Sequence, residues 1–160
     1  MRPNASDELN RMPDFHHLAY VFAVLVGAAV LGGLLGLERE WLRKPAGLRT
    51  HMLVSLGAAV FVLAPREAGM TDAELSRVVQ GVAAGVGFIG AGTILKNTAT
   101  REIEGLTTAA SLWLSAAVGL AVGAGVVWVP IVSTLLALSI LMLIGRVQRT
   151  IGKAEPPAPR

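Results

Sequence analysis

A stretch of 41 residues without a formal charge, residues 105–145, limits what this chain can fold into more than any other feature. As a single helix it would be about 60 Å long, twice the hydrocarbon thickness of a bilayer. The stretch must therefore fold back on itself. Gly123, Gly125 and Pro130 form the helix-breaking cluster inside it, so we place a tight turn near residues 123–129.

Three further apolar runs precede this stretch. Residues 18–37 contain 20 uncharged residues, and residues 78–95 contain 18, with Gln80 near one end. Residues 52–64 number only 13, so this helix can span only if it begins near Gly47 or Leu48. The chain is thus predicted to be an all-α, polytopic membrane protein with about five transmembrane helices, over residues 18–37, 48–64, 78–95, 105–124 and 127–145.

Composition excludes several classes of protein. Hydrophobic residues make up 53% of the chain and charged residues 16%, against about 25% charged in ordinary globular domains. With a mean hydropathy of +0.60, the chain does not fit a soluble nucleic-acid binder despite its isoelectric point near 10.0. The absence of cysteine excludes disulfides, thiolate metal sites and a cysteine nucleophile.

The basic residues predict the orientation of the five helices. Ten lysines and arginines lie in the 38–51 loop, the 96–105 loop and the C-terminal tail, and four lie on the other side. Because positive charge is retained in the cytoplasm, the N-terminus is expected outside and the C-terminus inside. Residues 1–17 form a polar N-terminal segment. Residues 146–160 form a basic, proline-rich cytoplasmic tail that is too polar to fold from Lys153 onwards.

Glycines recur at helical spacing, which allows backbones to approach closely in lipid. One interpretation is packing of helices within the chain. The other is a homodimer seam, or an unwound segment whose carbonyl groups face a ligand. The predicted packing positions are Gly32, Gly36, Gly81, Gly85, Gly87, Gly90, Gly92, Gly119 and Gly123.

The 38–51 segment is the most charged part of the predicted membrane region. Glu38 ends an apolar helix, where its carboxylate needs a cationic partner, and Arg39 and Arg49 are the candidates. The segment is either a juxtamembrane loop with snorkelling side chains or a site that binds a polar group at membrane level. The candidate binding residues are Glu38, Arg39, Glu40, Arg49, Thr50 and His51. His51 matches no metal-ligand pattern, and no metal site is assigned.

Hydroxyl side chains open the fourth predicted helix. Thr107, Ser111 and Ser115 repeat every fourth residue as a polar stripe, and Thr108 flanks it. They either bond neighbouring helices together or line a hydrated cavity. Thr107, Thr108 and Ser111 are therefore added to the candidate binding residues. Since no catalytic triad, zinc motif or phosphate-binding loop is visible, we expect no enzymatic activity.

Four motifs in order resemble the MgtC/SapB family of bacterial membrane proteins. They are GLEREW at residues 36–41, PAGLRTH at 45–51, GVGFIGAG at 85–92 and GLTTAASLW at 105–113. The similarity covers roughly residues 18–145. It implies a multi-pass protein of the bacterial inner membrane, linked to magnesium homeostasis and, in pathogens, to survival in macrophages. Several members named as magnesium transport proteins are thought to regulate rather than to transport.

The chain departs from the virulence-factor members in two ways. Those members carry a soluble C-terminal domain, whereas this chain resembles the short, SapB-like form without one. They also tend to have asparagine where this chain has Thr107. Regulation through that domain, or through an asparagine amide, is therefore not transferred to this chain.

Two functions remain in competition, a regulatory or interaction module and a carrier or channel for magnesium or another cation. Magnesium prefers oxygen ligands including one or two carboxylates, yet the predicted spans contain no Asp or Glu. The cytoplasmic loops are net positive by two, which suits phospholipid headgroups or another anion. Transport would need the backbone carbonyls of residues 85–92.

The regulatory module is the preferred prediction. It carries expectations about partners: membrane lipid, a second copy in a homodimer or other homo-oligomer, and a membrane protein partner, but no nucleic acid. No cofactor is expected, and Mg²⁺ enters only as a ligand or a signal.

Overall fold

The computed structural model describes residues 14–96 and 103–152, which form five helices and one two-stranded hairpin. The helices are α1 (Phe15–Trp41), α2 (Leu48–Glu67), α3 (Asp72–Ala91), α4 (Leu106–Gly123) and α5 (Trp128–Gly152), and the strands are β1 (Leu95–Lys96) and β2 (Ile103–Glu104). Most of the predicted N-terminal segment, the centre of the 96–105 loop and the end of the tail lie outside the described residues. The predicted all-α architecture is confirmed.

Within the described residues, three helices are long and apolar enough to cross a membrane, namely α1, α2 and α4, and Trp128–Leu143 forms a shorter apolar helix. The outward faces carry large apolar side chains that suit lipid, such as Phe22, Leu135 and Leu143. Together with the family assignment below, these helices make the chain a multi-pass membrane protein.

The helices begin and end at other residues than the apolar runs. Hydropathy indicates which residues suit the membrane interior, whereas backbone hydrogen bonds and capping residues decide where a helix begins and ends. α1 continues through Glu38 to Trp41, four residues beyond the predicted span. α2 begins at Leu48, at the predicted position. α5 continues seven residues beyond its predicted end at residue 145, so the first part of the basic tail is helical.

α3 begins six residues before its predicted start because of a capping box. Thr71 Oγ1 accepts a hydrogen bond from the Glu74 backbone N–H, and the Glu74 carboxylate accepts from the Thr71 N–H at 2.8 Å. Hydrogen bonds from the Thr71 N–H and the Thr71 hydroxyl to the Glu74 carboxylate lower the pKa of this carboxyl group. Glu74 precedes the apolar part of the helix. At its other end α3 stops at Ala91, not at residue 95 as predicted.

The segment predicted as a plain loop contains a short antiparallel hairpin, in which Leu95 pairs with Glu104 and Lys96 with Ile103. Gly105 follows the hairpin with φ +93° and caps α4. A Cβ at Gly105 would overlap the Thr93 carbonyl oxygen. Glycine is therefore required where the hairpin turns into α4.

α4 is the central helix and contacts the other four. On one side Val118 packs with Leu35 of α1 and Ala137 of α5. On the other side Ala116 packs with Ala58 of α2 and Val86 of α3. The described bundle is therefore two small apolar layers that share one helix.

Glycines bring α1, α2 and α4 into backbone contact. A Cβ at Gly36 would lie 2.8 Å from Leu48 Cα, and one at Gly32 would lie 2.6 Å from the His51 carbonyl oxygen. On α4, a Cβ at Gly123 would lie 2.5 Å from the Ala59 carbonyl oxygen, and one at Gly119 would overlap that of Ser55. These four glycines form what we call the glycine seam.

The remaining predicted packing glycines behave differently. Gly90 approaches Ala109 of α4, where a Cβ would lie 3.3 Å from the alanine Cβ, and Gly92 approaches only its own helix. Gly81, Gly85 and Gly87 have nothing within 4 Å of the Cβ position. These three positions of α3 therefore make no close contact within the described part of the chain, and Gly81 and Gly85 among them share its outer face.

The glycine seam predicts a sharp difference between two conservative substitutions. Gly119→Ala should lower stability by roughly 1–3 kcal/mol or more, because its methyl group would overlap the Ser55 carbonyl. Gly57→Ala, at a helical glycine with open space around it, should be neutral or slightly stabilising. Thermal unfolding in detergent measures both, and equal melting temperatures would contradict the seam.

Candidate functional site

The candidate site lies where the C-terminal end of α1 meets the N-terminal ends of α2 and α4. The glycine seam sets its geometry because Gly32 and Gly36 face residues 47, 48, 51 and 55 of α2. Several polar side chains are buried here, and four of them, one or two from each helix, bond between the helices and are at most 5% exposed. We call Arg39, His51, Thr108 and Ser111 the polar cluster.

Arg39 and Thr108 join α1 to α4. The Arg39 Nη2 donates a hydrogen bond to Thr108 Oγ1, and the two side chains are 4% and 1% exposed. A bond from a buried cation to a hydroxyl is stronger than one between neutral groups. The guanidinium is thus held at a defined point between two helices.

His51 joins α2 to α4 and is fully buried. Its Nδ1 lies 3.0 Å from the Gly47 carbonyl oxygen, and its Nε2 lies 3.1 Å from Ser111 Oγ. Since a carbonyl can only accept, Nδ1 carries a proton and Nε2 of the neutral ring is the acceptor. The bond within α2 therefore sets the tautomer that faces Ser111.

Two acceptors compete for the single proton of the Ser111 hydroxyl. Its Oγ lies 2.9 Å from the Thr108 carbonyl oxygen and also faces His51 Nε2. With a neutral ring the hydroxyl proton satisfies one acceptor at a time. With a protonated ring Nε2 donates to Ser111, and Ser111 donates to Thr108, so every group is satisfied. The position of this hydroxyl proton thus depends on the charge of His51.

Glu38 is buried beside the polar cluster but does not make the predicted ion pair. Within the described residues, its Oε2 and the Arg39 Nε have no hydrogen-bond partner, and no ion pair joins Glu38 to Arg39 or Arg49. Consecutive helical residues point about 100° apart, which separates Glu38 from Arg39. Arg49 is exposed because α2 turns Leu48 and His51, not Arg49, towards α1.

The exposed part of the site lies around the start of α2. Glu40 Oε2 accepts a hydrogen bond from the Leu48 N–H at 3.0 Å and so caps α2 from the end of α1. An open depression of about 560 Å³ is lined there by Glu40, Gly47, Leu48, Arg49 and Thr50. Glu40, Arg49 and Thr50 are therefore brought together at the surface, away from the buried polar cluster.

The hydroxyl stripe on α4 is rotated by one residue from the predicted one. Thr107 is exposed, whereas Thr108, Ser111 and Ser115 are buried. A spacing of three and then four residues keeps these three on one face as well as a repeat of four does. The phase of a helix cannot be read from hydroxyl spacing alone.

Sequence reasoning missed Ser55, which is fully buried and donates to the Ala28 carbonyl oxygen at 2.7 Å. The available signal was a serine inside the apolar run of residues 52–64, one turn after His51. Ser115, facing the same seam, is also fully buried, and its Oγ has no partner among the described residues. Over the same residues, no group of three or more acidic or histidine side chains is placed to hold a metal ion.

Comparison with known proteins identifies the family. The MgtC family matches residues 25–150, which include α2, α3, α4, the polar cluster and the glycine seam. The chain belongs to the MgtC family. The resemblance read from the four sequence motifs is confirmed.

Individual members of the MgtC family are similar over most of the chain. SrpB of Synechococcus elongatus is 40% identical, covering 86% of this chain and 81% of SrpB. MgtC of Brucella abortus is 42% identical over 79% of this chain, which spans about half (52%) of that protein. YhiD of Escherichia coli K12, named provisionally as a magnesium transporter, is 39% identical over 73% of this chain and 57% of YhiD. No solved structure matches the chain significantly.

A double-mutant cycle tests the pairing seen in the polar cluster. Arg39→Gln and Thr108→Val should be strongly coupled, by about 0.5–3 kcal/mol in unfolding free energy, because they share one buried bond. Glu38→Gln and Arg49→Gln should be additive, since no bond joins them in the structure. If Glu38 and Arg49 were coupled and Arg39 and Thr108 were not, the pairing seen in the structure would be wrong.

Proposed function

We propose that this chain is a non-catalytic regulatory or interaction module of the bacterial inner membrane, linked to magnesium homeostasis. The closed polar cluster carries the proposal. Arg39, His51, Thr108 and Ser111 bond to one another and to backbone carbonyls, and each is at most 5% exposed. Such groups hold three helices in one arrangement, as expected for a protein that presents a fixed surface.

The glycine seam supports the same proposal. The Cβ positions of Gly119 and Gly123 fall on backbone atoms of Ser55 and Ala59, so α2 and α4 approach each other at their backbones. An ion path needs a lined space, whereas these helices fill the space between them. A regulator needs no such path and gains from a rigid bundle.

The inner-membrane location and the orientation are part of the proposal. The ten-to-four distribution of basic residues supports an orientation with the polar cluster on the cytoplasmic side. The exposed depression at the start of α2 then faces the cytoplasmic leaflet, where a membrane protein partner or a lipid headgroup can reach it.

The alternative is a carrier or channel for magnesium or another cation. It is favoured by the name of the YhiD relative and by Glu38, whose buried Oε2 has no partner among the described residues. In that case the polar cluster would have to open, and Glu38 would meet the cation.

Magnesium flux separates the two proposals. The full chain is reconstituted into liposomes that enclose a magnesium-sensitive dye, and an external magnesium step is applied. We expect the signal of protein-free liposomes, and a magnesium ionophore provides the positive control. Flux that is present in the wild type and lost in Glu38→Gln would establish the carrier instead.

We also propose that the protein forms a homodimer through the outer face of α3. Gly81 and Gly85, four residues apart on one side of α3, have nothing within 4 Å of their Cβ positions inside the described part of the chain. Two copies related by a twofold axis can bring the same small-residue side of α3 together, as G-x-x-x-G pairs do in membranes. The face supports close contact between two identical helices.

Oligomer size and stability test the dimer together. Gly81→Leu and Gly85→Leu should shift the protein towards monomer in detergent while leaving its monomer melting unchanged, because their surroundings are open. Gly57→Leu, at an open position on α2, is the matched control. Light scattering after size-exclusion chromatography gives the mass, and an unchanged dimer fraction in both α3 variants would contradict the proposal.

A further inference from the structure

The loop between α1 and α2 is a compact, exposed, cationic surface. Of the six charged residues in the 38–51 segment, Glu38 and Arg39 are buried and their charges cancel. The exposed charges are Arg43, Lys44, Arg49 and Glu40, net +2 from three positive and one negative. Burial has thus concentrated the positive charge of the segment at its surface.

The negative charge of Glu40 is already engaged, since its carboxylate caps the Leu48 N–H. The same bond ties the end of α1 to the start of α2 and brings Arg49 close to the loop that carries Arg43 and Lys44. The loop backbone bends back through hydrogen bonds from the Arg43 N–H to the Glu40 carbonyl and from the Lys44 N–H to the Arg39 carbonyl, each 3.0 Å. Arg43 and Lys44 are therefore presented from one short, closed turn, and Arg49 stands next to it in the first turn of α2.

An apolar stripe on α1 leads directly to this turn. Leu34, Leu37 and Trp41, spaced three and four residues apart, share one helix face and are 40%, 44% and 84% exposed. They extend over about 10 Å along the helix. Tryptophan is favoured at the boundary between headgroups and acyl chains, and Trp41 lies next to the cationic turn.

We propose that this surface binds an anionic phospholipid. The phosphate is held by Arg43, Lys44 and Arg49, and an acyl chain lies along Leu34, Leu37 and Trp41. The cations lie at the membrane-boundary end of the apolar stripe. This order matches a phospholipid, in which the charged headgroup lies at the boundary and the acyl chain runs into the membrane. Clustered basic residues next to a membrane helix attract anionic headgroups electrostatically. This inference holds whether the protein regulates or transports, and it is tested separately from the flux measurement.

Trp41 provides a local probe. In the full chain with Trp113→Phe and Trp128→Phe, both at exposed positions, Trp41 is the remaining tryptophan. The protein is placed in phosphatidylcholine bilayers containing a small fraction of brominated phosphatidylglycerol or brominated phosphatidylcholine. Quenching of Trp41 measures the relative affinity for each lipid at this point of the surface.

We expect phosphatidylglycerol to be preferred by roughly fivefold or more at low salt, with the preference falling as salt is added. The triple variant Arg43→Gln, Lys44→Gln, Arg49→Gln should reduce the ratio to about one. Arg43→Lys with Arg49→Lys should keep the preference because it keeps the charge. Arg77→Gln, at the opposite end of the bundle, should keep it as well and serves, beside the single variant Arg43→Gln, as the control for loss of one positive charge elsewhere.

Three results would overturn the proposal: equal quenching by both lipids in the wild type, a preference that survives in the triple variant, or a preference reduced as much by Arg77→Gln as by Arg43→Gln. Loss of lipid quenching on addition of millimolar inorganic phosphate at constant ionic strength would assign the surface to a soluble phosphate instead. The thermal unfolding of each variant confirms that the bundle is folded when it is measured.

Discussion

Backbone contact between α1, α2 and α4 is the constraint on which the rest of this structure depends. In a bilayer, lipid tails solvate apolar side chains as well as a neighbouring helix does, so helices gain little by hiding such side chains from lipid. They gain by packing closely, and the seam at Gly32, Gly36, Gly119 and Gly123 makes that possible. Any side chain at Gly119 would push α4 away from α2 and open the whole centre of the bundle.

The polar cluster can exist only because this seam is tight. Arg39 reaches Thr108, and His51 reaches Ser111, only when the three backbones are in contact. The polar cluster also fixes the rotation of each helix about its own axis. Contacts between glycines alone would not define this rotation, because glycine has no side chain. Packing sets the distance between the helices, and hydrogen bonding sets their rotation about their own axes. Neither would define a single structure alone.

The number of helices and the seam could be predicted from the sequence because both follow from local properties. Hydropathy gives the spans, and G-x-x-x-G spacing identified Gly32, Gly36, Gly119 and Gly123. Whether a glycine faces its own chain or another surface depends on the rotation of the helix, which is why Gly85 resembled Gly119 in sequence and differs from it in the structure. The Thr71–Glu74 capping box was readable from the sequence and was overlooked.

The structure brings Arg39, His51, Thr108 and Ser111 of the predicted binding residues together, but it does not pair them as predicted, and their role in binding stays a prediction. The charged segment and the hydroxyls of α4 were correctly placed at the same end, since helix topology decides that. Thr108 and not Thr107 faces inwards because a difference of one residue rotates a side chain by about 100°. Arg49 stays outside because α2 turns its neighbours Leu48 and His51 towards α1. Only contacts made far along the chain settle that choice.

The central position of α4 orders the assembly of the bundle. α4 begins at Leu106, so a chain made from its N-terminus has completed α1, α2 and α3 before Thr108 and Ser111 exist. During that interval the guanidinium of Arg39 lacks the Thr108 acceptor and His51 Nε2 lacks its Ser111 partner, so both groups need water or headgroups instead. The hydrogen bonds that join Arg39 and His51 to α4 therefore depend on the part of the chain that is made after the first three helices.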